Sequence, residues 1–275
     1  SLEIDGGIYT SITIKQEVPL VPAGSKELRP HRLAVGLYDI SGDALKLRKS
    51  VELDVVGEAT VVAELAGEKV ADLLLINDRD LSYAKLRFDE RSIATLKTHL
   101  GKLDDALARA LCWASIWDMH RDAEISSADF IEIALNGLAG ESDDAIVNIV
   151  LGQLGTSVEA YAKDANRDAY REKLADGLWS LTQNSAPGSD LQLLISRAFA
   201  INAQTADQTA KIRELLNGSA PGLKVDADLR WYFLIALTER GATTKAELDA
   251  EVAKARENAK PVAEDPYKKP RVEEE

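Results

Sequence analysis

The sequence contains one cysteine and three histidines, and both scarcities limit the chemistry that the chain can perform. Because Cys112 has no second cysteine to pair with, no disulfide forms within the chain, and zinc sites built from several cysteines are excluded. The histidines stand apart at His31, His99 and His120, so a His-Glu-x-x-His motif is absent. The sequence therefore predicts no catalytic and no metal-binding residue. A single cysteine suits a reducing compartment, and we expect a cytoplasmic location.

Long apolar runs, glycine-rich phosphate loops and an excess of positive charge are missing as well. No apolar run approaches the roughly 20 residues that a membrane span needs. Gly6 and Gly7 form only a turn signal, so nucleotide binding has no support. With 46 acidic and 33 basic side chains the net charge is −13, which argues against nucleic acid or an anionic membrane as the partner. The only methionine is Met119, and Ser1 opens on a strand-like pattern, so we expect a fragment.

The first third of the chain has the apolar periodicity of β-strands. In residues 45–55 the apolar side chains keep one parity from Leu45 to Val55, which predicts a half-solvated antiparallel hairpin. About six or seven short strands, separated by Gly- and Pro-bearing turns, predict a small antiparallel β-sandwich over residues 1–89. The strand-like stretches are 8–14, 33–37, 45–55, 61–65, 70–76 and 84–88.

From Glu90 onward the apolar residues recur at helical spacing. Short connections between successive amphipathic helices predict a hairpin-repeat, HEAT-like solenoid over residues 90–260. The tail, 261–275, carries three prolines and many charges, and we expect it to be disordered. The predicted helices are 91–99, 103–119, 127–138, 143–154, 156–163, 167–183, 190–202, 206–217, 227–240 and 245–258.

Capping residues support these helices at both ends. Thr205 with Gln208 and Thr244 with Glu247 fit a capping box, and Ser126 with Asp129 is a weaker version. Asp104-Asp105 and Asp143-Asp144 stand in first turns, where negative charge complements the helix dipole rather than serving as a catalytic pair. Four glycines that follow apolar stretches are predicted to close helices in left-handed conformation: Gly140, Gly155, Gly218 and Gly241.

Few side chains are candidates for chemistry. Cys112 lies between Leu111 and Trp113 on an apolar helix, where a buried structural thiol is expected, and Trp113 and Trp117 are expected to pack in the core. His120 and Glu124 are four residues apart and are conceivable metal ligands, although a solvated helix end explains them at least as well.

One segment resembles a known family. The stretch Leu75 to Asp89 is similar to the junction between the β-sandwich and the helical domain in zinc-dependent aminopeptidases of the aminopeptidase N family. Tyr83, Arg87 and Asp89 take matching places, whereas Ser82, Ala84 and Lys85 depart from the commoner pattern. Three further blocks resemble actinobacterial-type members in the expected order: 110–119, 188–199 and 228–231.

The resemblance implies a role without catalysis for this chain. The parent enzyme would carry zinc in a catalytic domain and remove N-terminal amino acids from peptides. The fragment would cap the active-site chamber and control peptide access, with the catalytic domain and peptides as its partners. Arg197 and Arg230 are candidate contacts for a peptide's carboxyl end, although ion pairing on a solvated helix explains these arginines better. The expected junction residues are Asn77, Tyr83, Arg87 and Asp89, with Tyr83 and Arg87 as fasteners. The alternative is a free-standing helical-repeat scaffold that binds a protein partner.

Overall fold

The computed structural model describes residues 1–18, 24 and 26–258. Its strands form two three-stranded antiparallel sheets, with strand orders β1-β2-β5 and β4-β3-β6. The predicted small antiparallel β region is therefore confirmed. The strands are β1 Leu2–Asp5, β2 Ile8–Lys15, β3 His31–Ser41, β4 Ala44–Val55, β5 Ala59–Val61 and β6 Leu73–Ile76.

Strand β3 lies at the centre of the fold, because its middle residues are buried on both faces. On one face Leu33 and Val35 share a hydrophobic cluster with Tyr9 and Ile12 of β2. On the other face Tyr38 belongs to a larger cluster that the helices build. The β4-β3-β6 sheet therefore lies between the β1-β2-β5 sheet and the helices.

The predicted parity of β4 is wrong because the hairpin contains a β-bulge. Leu37 pairs with Lys49 while Tyr38 pairs with Leu47, so Arg48 is an extra residue. An extra residue turns the following side chains to the opposite face of the sheet. Leu45 consequently packs against the helices, and Leu47 is 48% exposed.

The predicted strand at 84–88 is also wrong. This segment is extended but has no strand partner in the part of the chain that the structure describes. Its alternation arises because Leu86 and Phe88 are buried, and the Phe88 amide donates to Met119 Sδ at 3.5 Å. An extended connector on the helical core produces the same period of two as a strand.

Nine α-helices follow within the described residues, close to the predicted bounds. The predicted helix 156–163 is instead a turn of π-helix, Ser157–Tyr161, that continues α4. The expected tail, 261–275, lies outside the described residues. The helices are α1 Glu90–His99, α2 Ala106–Arg121, α3 Ser127–Leu138, α4 Asp144–Thr156, α5 Asp164–Asn184, α6 Asp190–Asn202, α7 Ala206–Leu216, α8 Ala227–Glu239 and α9 Lys245–Asn258.

Most predicted helix ends are as expected. Thr205 and Gln208 form the complete capping box of α7, and Gly218 and Gly241 have the left-handed φ values of +79° and +65°. The prediction for Gly140 and Gly155 is wrong: Gly155 lies inside α4, and neither has a positive φ. Position 140 requires glycine because the backbone of Gly101 lies close to it: a Cβ at Gly140 would lie 2.1 Å from the carbonyl oxygen of Gly101.

The helices up to α8 are arranged in two rows. In the odd row, α1 contacts α3, α3 contacts α5, and the Gln208 side chain of α7 donates to Asp176 of α5 at 2.9 Å. In the even row, α2 contacts α4, α4 contacts α6, and α6 contacts α8. Both rows contribute to one hydrophobic cluster, which is their common interior.

Candidate functional site

The solvent-facing side of the even row, called here the even-row face, is unusually apolar. Ile149, Ile201 and Ile235 are 59%, 56% and 56% exposed, and Leu107 is 47% exposed. Partly buried apolar side chains lie among them, namely Leu111, Leu194 and Trp231. Because neighbouring even-row helices are in contact, these residues lie on adjacent helices of one row. Contiguous exposed apolar patches mark binding surfaces.

Charged residues of the even row lie mostly near helix ends. The remaining ones are Arg109, which is buried, and Arg197 and Arg230, which are partly exposed. The charged residues near the ends are Asp118, Arg121, Asp144, Asp190, Asp228 and Glu239. The odd row differs, because its exposed side is charged along its length: Glu90, Arg91, Glu132, Asp164, Asp168, Glu172, Lys173, Asp176, Asp207 and Glu214.

Arg197 is a cation without an ion pair among the described residues. Its guanidinium carbon lies 5.6 Å from the ring centroid of Tyr232 on the next even-row helix, within cation–π range. Its Nε atom is buried and has no hydrogen-bond partner. Burial raises the pKa of Tyr232, so the ring beneath the cation is a neutral phenol. The free donors of Arg197 can therefore receive an anion.

Arg230 is already engaged. Its Nε and Nη2 atoms donate to the two carboxylate oxygens of Glu251 at 3.0 and 2.9 Å. The Glu251 side chain is only 10% exposed, and the bonds from Arg230 lower its pKa. This bidentate pair attaches α8 to α9, and it leaves Arg197 as the better of the two candidate anion contacts.

Asn77 closes the loop at the junction of strands and helices. It has a left-handed φ of +59°, which asparagine tolerates better than most residues. Its side-chain nitrogen donates to Ser82 O at 2.7 Å, and its side-chain oxygen accepts from Ser82 N at 3.1 Å. These two bonds hold residues 77–82 as one turn.

Hydrogen bonds of the charged side chains of Arg87 and Asp89 hold the rest of the junction. Arg87 donates to Asp122 and, at 2.7 Å, to Glu124, both on the loop after α2. Asp89 caps α1 by accepting from Ser92 N at 3.1 Å. Tyr83 does not act as a fastener, because its side chain is fully exposed.

His120 is not at a solvated helix end, contrary to the expectation. It is 4% exposed, and its ring stacks on Phe130 with centroids 4.7 Å apart and planes at 4°. Nδ1 lies 2.9 Å from the carbonyl oxygen of Ile125, whereas Nε2 is buried without a partner. Burial lowers the pKa of His120. Glu124 pairs with Arg87, so His120 and Glu124 form no ligand pair.

The described residues do not fit a catalytic metal. Within them no group of three or more His, Cys, Asp or Glu side chains is placed to hold a metal ion. Cys112 is fully buried, and burial raises the pKa of its thiol, which keeps it protonated. Trp113 is buried with its Nε1 donating to Glu141 at 3.0 Å. No helix in the described ranges has the length and apolar content of a membrane span.

Comparison with known proteins places the chain in a family of C-terminal peptidase domains. The model of the ERAP1-like C-terminal domain family matches residues 73–265, and the chain belongs to this family. An aminopeptidase N from Streptomyces lividans is 42% identical over 251 residues, which cover 89% of this chain and 29% of that protein. The predicted resemblance to the aminopeptidase N family is confirmed. The chain spans less than a third of the relative that it matches.

Sequence reasoning did not find the even-row face. The signal was present, because the run Ala145 to Leu151 of α4 contains no charged residue on any side of the helix. A helix that is apolar all round is buried or bound on a second face. The prediction considered only the buried stripe.

Proposed function

We propose that this chain is the non-catalytic C-terminal region of a zinc aminopeptidase that removes N-terminal amino acids from peptides. Its even-row face lines the peptide path, and the helical region caps the active-site chamber and controls access. The observation that carries this proposal is the contrast between the two rows: only the even row exposes aliphatic side chains along its length, with the unpaired Arg197 among them. A neutral, apolar wall suits peptides of varied sequence, because it does not select side chains by charge.

The architecture proposed with this function is a solenoid of helical hairpins over residues 90–260, preceded by a β domain over 1–89. Contacts between every second helix support it, since stacked hairpins place helices i and i+2 side by side. Asn77, Arg87 and Asp89 hold the junction between the two domains. Zinc and the reacting groups belong to the catalytic domain of the parent chain, which is the proposed partner. The free, buried Cys112 is compatible with the cytoplasmic location that belongs to this proposal.

Arg197 contacts the carboxyl end of a bound peptide in this proposal. A guanidinium matches a carboxylate with two parallel hydrogen bonds, and the Tyr232 ring below it keeps the group in place. No neighbouring carboxylate among the described residues competes for Arg197, so the peptide carboxylate meets a free partner.

Peptide binding by the purified chain tests this role. A fluorescent alanine-rich peptide with a free carboxyl end should bind about tenfold more tightly than its amide, which corresponds to one charge-assisted hydrogen-bonded contact. Arg197→Ala should abolish this preference, and Arg197→Lys should restore part of it. The control is Arg171→Ala, because Arg171 lies on the odd row and is paired with Glu159. Equal binding of acid and amide by the unchanged chain would refute the role of Arg197.

Catalysis gives a second test. The purified chain should not hydrolyse aminoacyl-anilide substrates in the presence of zinc. Steady turnover that copurifies with the chain would contradict the non-catalytic assignment. Binding of a folded protein to the even-row face, without any peptide binding, would favour the scaffold alternative.

A further inference from the structure

A cleft of about 360 Å³ opens where the inner sheet meets the helices. One wall is strand β4 with Leu47, and the other is the start of α2 with Asp104, Asp105 and Leu107. The walls are joined directly, since the Asp104 amide donates to the Leu45 carbonyl at 3.4 Å. Leu47 and Leu107 are 48% and 47% exposed, so both edges of the cleft are apolar.

The carboxylate of Asp78 lies on the floor of this cleft and has no cationic partner in the described part of the chain. It is 5% exposed. One oxygen accepts from Tyr38 OH, and the other accepts from Ser50 Oγ at 3.2 Å. Burial raises the pKa of Tyr38, so the phenol stays a neutral donor. Gly36 provides the space for this carboxyl group, since a Cβ there would lie 2.7 Å from Asp78 Cγ.

The cations of the cleft do not compensate this charge. Arg79 pairs at 2.8 Å with Glu52, which does not line the cleft. Lys46 lies 3.9 Å from Asp104, and both side chains are more than half exposed, which makes the pair weak. Buried carboxylates are normally paired with a cation. The cleft is therefore short of positive charge.

We propose that this cleft binds a basic side chain, arginine or lysine, of a peptide that lies on the even-row face. The proposal rests on the proposed function of that face and extends it, because Leu107 belongs to both surfaces. Leu47 and Leu107 contact the aliphatic stem of the bound side chain, and the Asp78 and Asp104 carboxylates accept hydrogen bonds from its charged head. The cleft thus gives the neutral even-row face a preference for peptides with a basic residue.

The spacing of the helices sets the smallest separation between that residue and the carboxyl end of the peptide. From α2 to α6 there are two helix spacings of about 8–10 Å each, or roughly 16–20 Å. An extended chain advances about 3.3 Å per residue, so at least about five or six residues separate the cleft from Arg197. A peptide whose carboxyl end meets Arg197 therefore places its basic residue at least about five or six positions earlier.

Fluorescence titration of the purified chain with matched peptides tests the proposal. The probes are a series of peptides made of alanine, serine and glycine, each with a free carboxyl end and one arginine about six, eight or ten residues before it. Each comparison peptide carries citrulline, which has nearly the shape of arginine without its charge. The arginine peptide should bind about tenfold more tightly, as expected for a charge-assisted contact. Equal affinity of the two peptides at every spacing would overturn the proposal.

Variants locate the effect. Asp104→Asn and Asp78→Asn should each reduce the preference for arginine over citrulline, and circular dichroism with thermal unfolding checks that Asp78→Asn folds. Asp104→Asn changes an exposed side chain and remains informative if Asp78→Asn does not fold. The matched control is Asp207→Asn, which removes an exposed, lysine-paired carboxylate from the start of α7. An unchanged preference in Asp104→Asn and in a folded Asp78→Asn would also overturn the proposal.

The outcome for Arg197 is separate. Arg197→Ala should weaken both peptides while their ratio persists, because the cleft is unaltered. Loss of the free-carboxyl preference alone would therefore concern the proposed function, and loss of the arginine preference alone would concern the cleft.

Discussion

The two rows of helices use similar interiors and opposite surfaces. Buried Ile, Leu and Phe side chains from both rows form one cluster, so both rows bury an apolar face in the same core. The exposed residues nevertheless differ: the odd row carries charged residues such as Glu132 and Glu172, and the even row carries Ile149, Ile201 and Ile235. Packing alone does not account for exposed isoleucines on one row only. The difference supports the proposal that the even row meets a second surface.

A buried ion pair joins the two rows. Arg109 of α2 donates to Glu141, just after α3, at 3.1 and 3.2 Å, and the two side chains are 8% and 0% exposed. Although burial acts in the opposite direction, hydrogen bonds from Arg109 and Trp113 lower the pKa of Glu141. Glu141→Ala leaves a buried arginine without its partner and should cost about 3–5 kcal/mol in the free energy of unfolding, measured in urea.

An exposed pair gives the reference for this effect. Asp207→Ala breaks the pair with Lys211 on α7, and its carboxylate is 76% exposed. The expected loss is at most about 0.5 kcal/mol. Similar losses in Glu141→Ala and Asp207→Ala would mean that the buried pair does not join the rows.

Glycines test how closely helices approach in each row. Gly101, after α1, lies against α3, and a Cβ there would meet the Gly137 carbonyl oxygen at 2.4 Å. Gly101→Ala should therefore destabilise the chain by about 1–3 kcal/mol. Gly152 in α4 of the even row has open space around its Cα. Gly152→Ala should stabilise the chain by about 0.5–1 kcal/mol, because alanine favours the helix. Thermal unfolding of both variants measures the difference. A change in stability of the same sign in both variants would contradict the close contact of Gly101 with α3.

Much of this organisation was predictable from local signals. Helical periodicity and caps such as Thr205 predicted the helices, because these depend on residues close in sequence. The bulge at Arg48 and the extended segment before Phe88 were missed, since both depend on which distant surface buries the residues. The cleft at Asp78 was missed for the same reason. Its members Tyr38, Asp78 and Leu107 are far apart in sequence and meet only in the fold.

We expect the aromatic cluster of His120 to make the free energy of unfolding depend on pH. His120 lies in the last turn of α2 in the even row and stacks on Phe130 of α3 in the odd row. Trp117 and Tyr161 enclose it, and burial lowers its pKa from the ordinary 6.5. The unfolded chain therefore binds a proton more readily than the folded chain. The stabilisation is fully present above pH 6.5 and is lost as the pH falls below it towards the lowered folded value.

Urea unfolding between pH 7.5 and 5 measures the contribution of His120 to the free energy of unfolding, with His120→Phe as the comparison. The variant keeps a stacked ring but cannot be protonated. The unchanged chain should lose more stability than His120→Phe over the range. Parallel pH profiles would show that His120 does not contribute, since the remaining carboxylates are common to both proteins.

A small expected change in stability is the most informative about the rows. Ile235 on α8 is 56% exposed, so Ile235→Ser should cost about 1 kcal/mol at most, whereas Glu214→Ser on α7 should stay within about 0.5 kcal/mol. Peptide affinity should separate the two variants: Ile235→Ser should weaken the binding of an alanine-rich peptide several-fold, and Glu214→Ser should leave it unchanged. A loss of stability well above 1 kcal/mol in Ile235→Ser, with unchanged peptide affinity, would assign the exposed isoleucines to folding. A loss of peptide affinity at nearly constant stability would assign the exposed isoleucines of the even row to peptide binding.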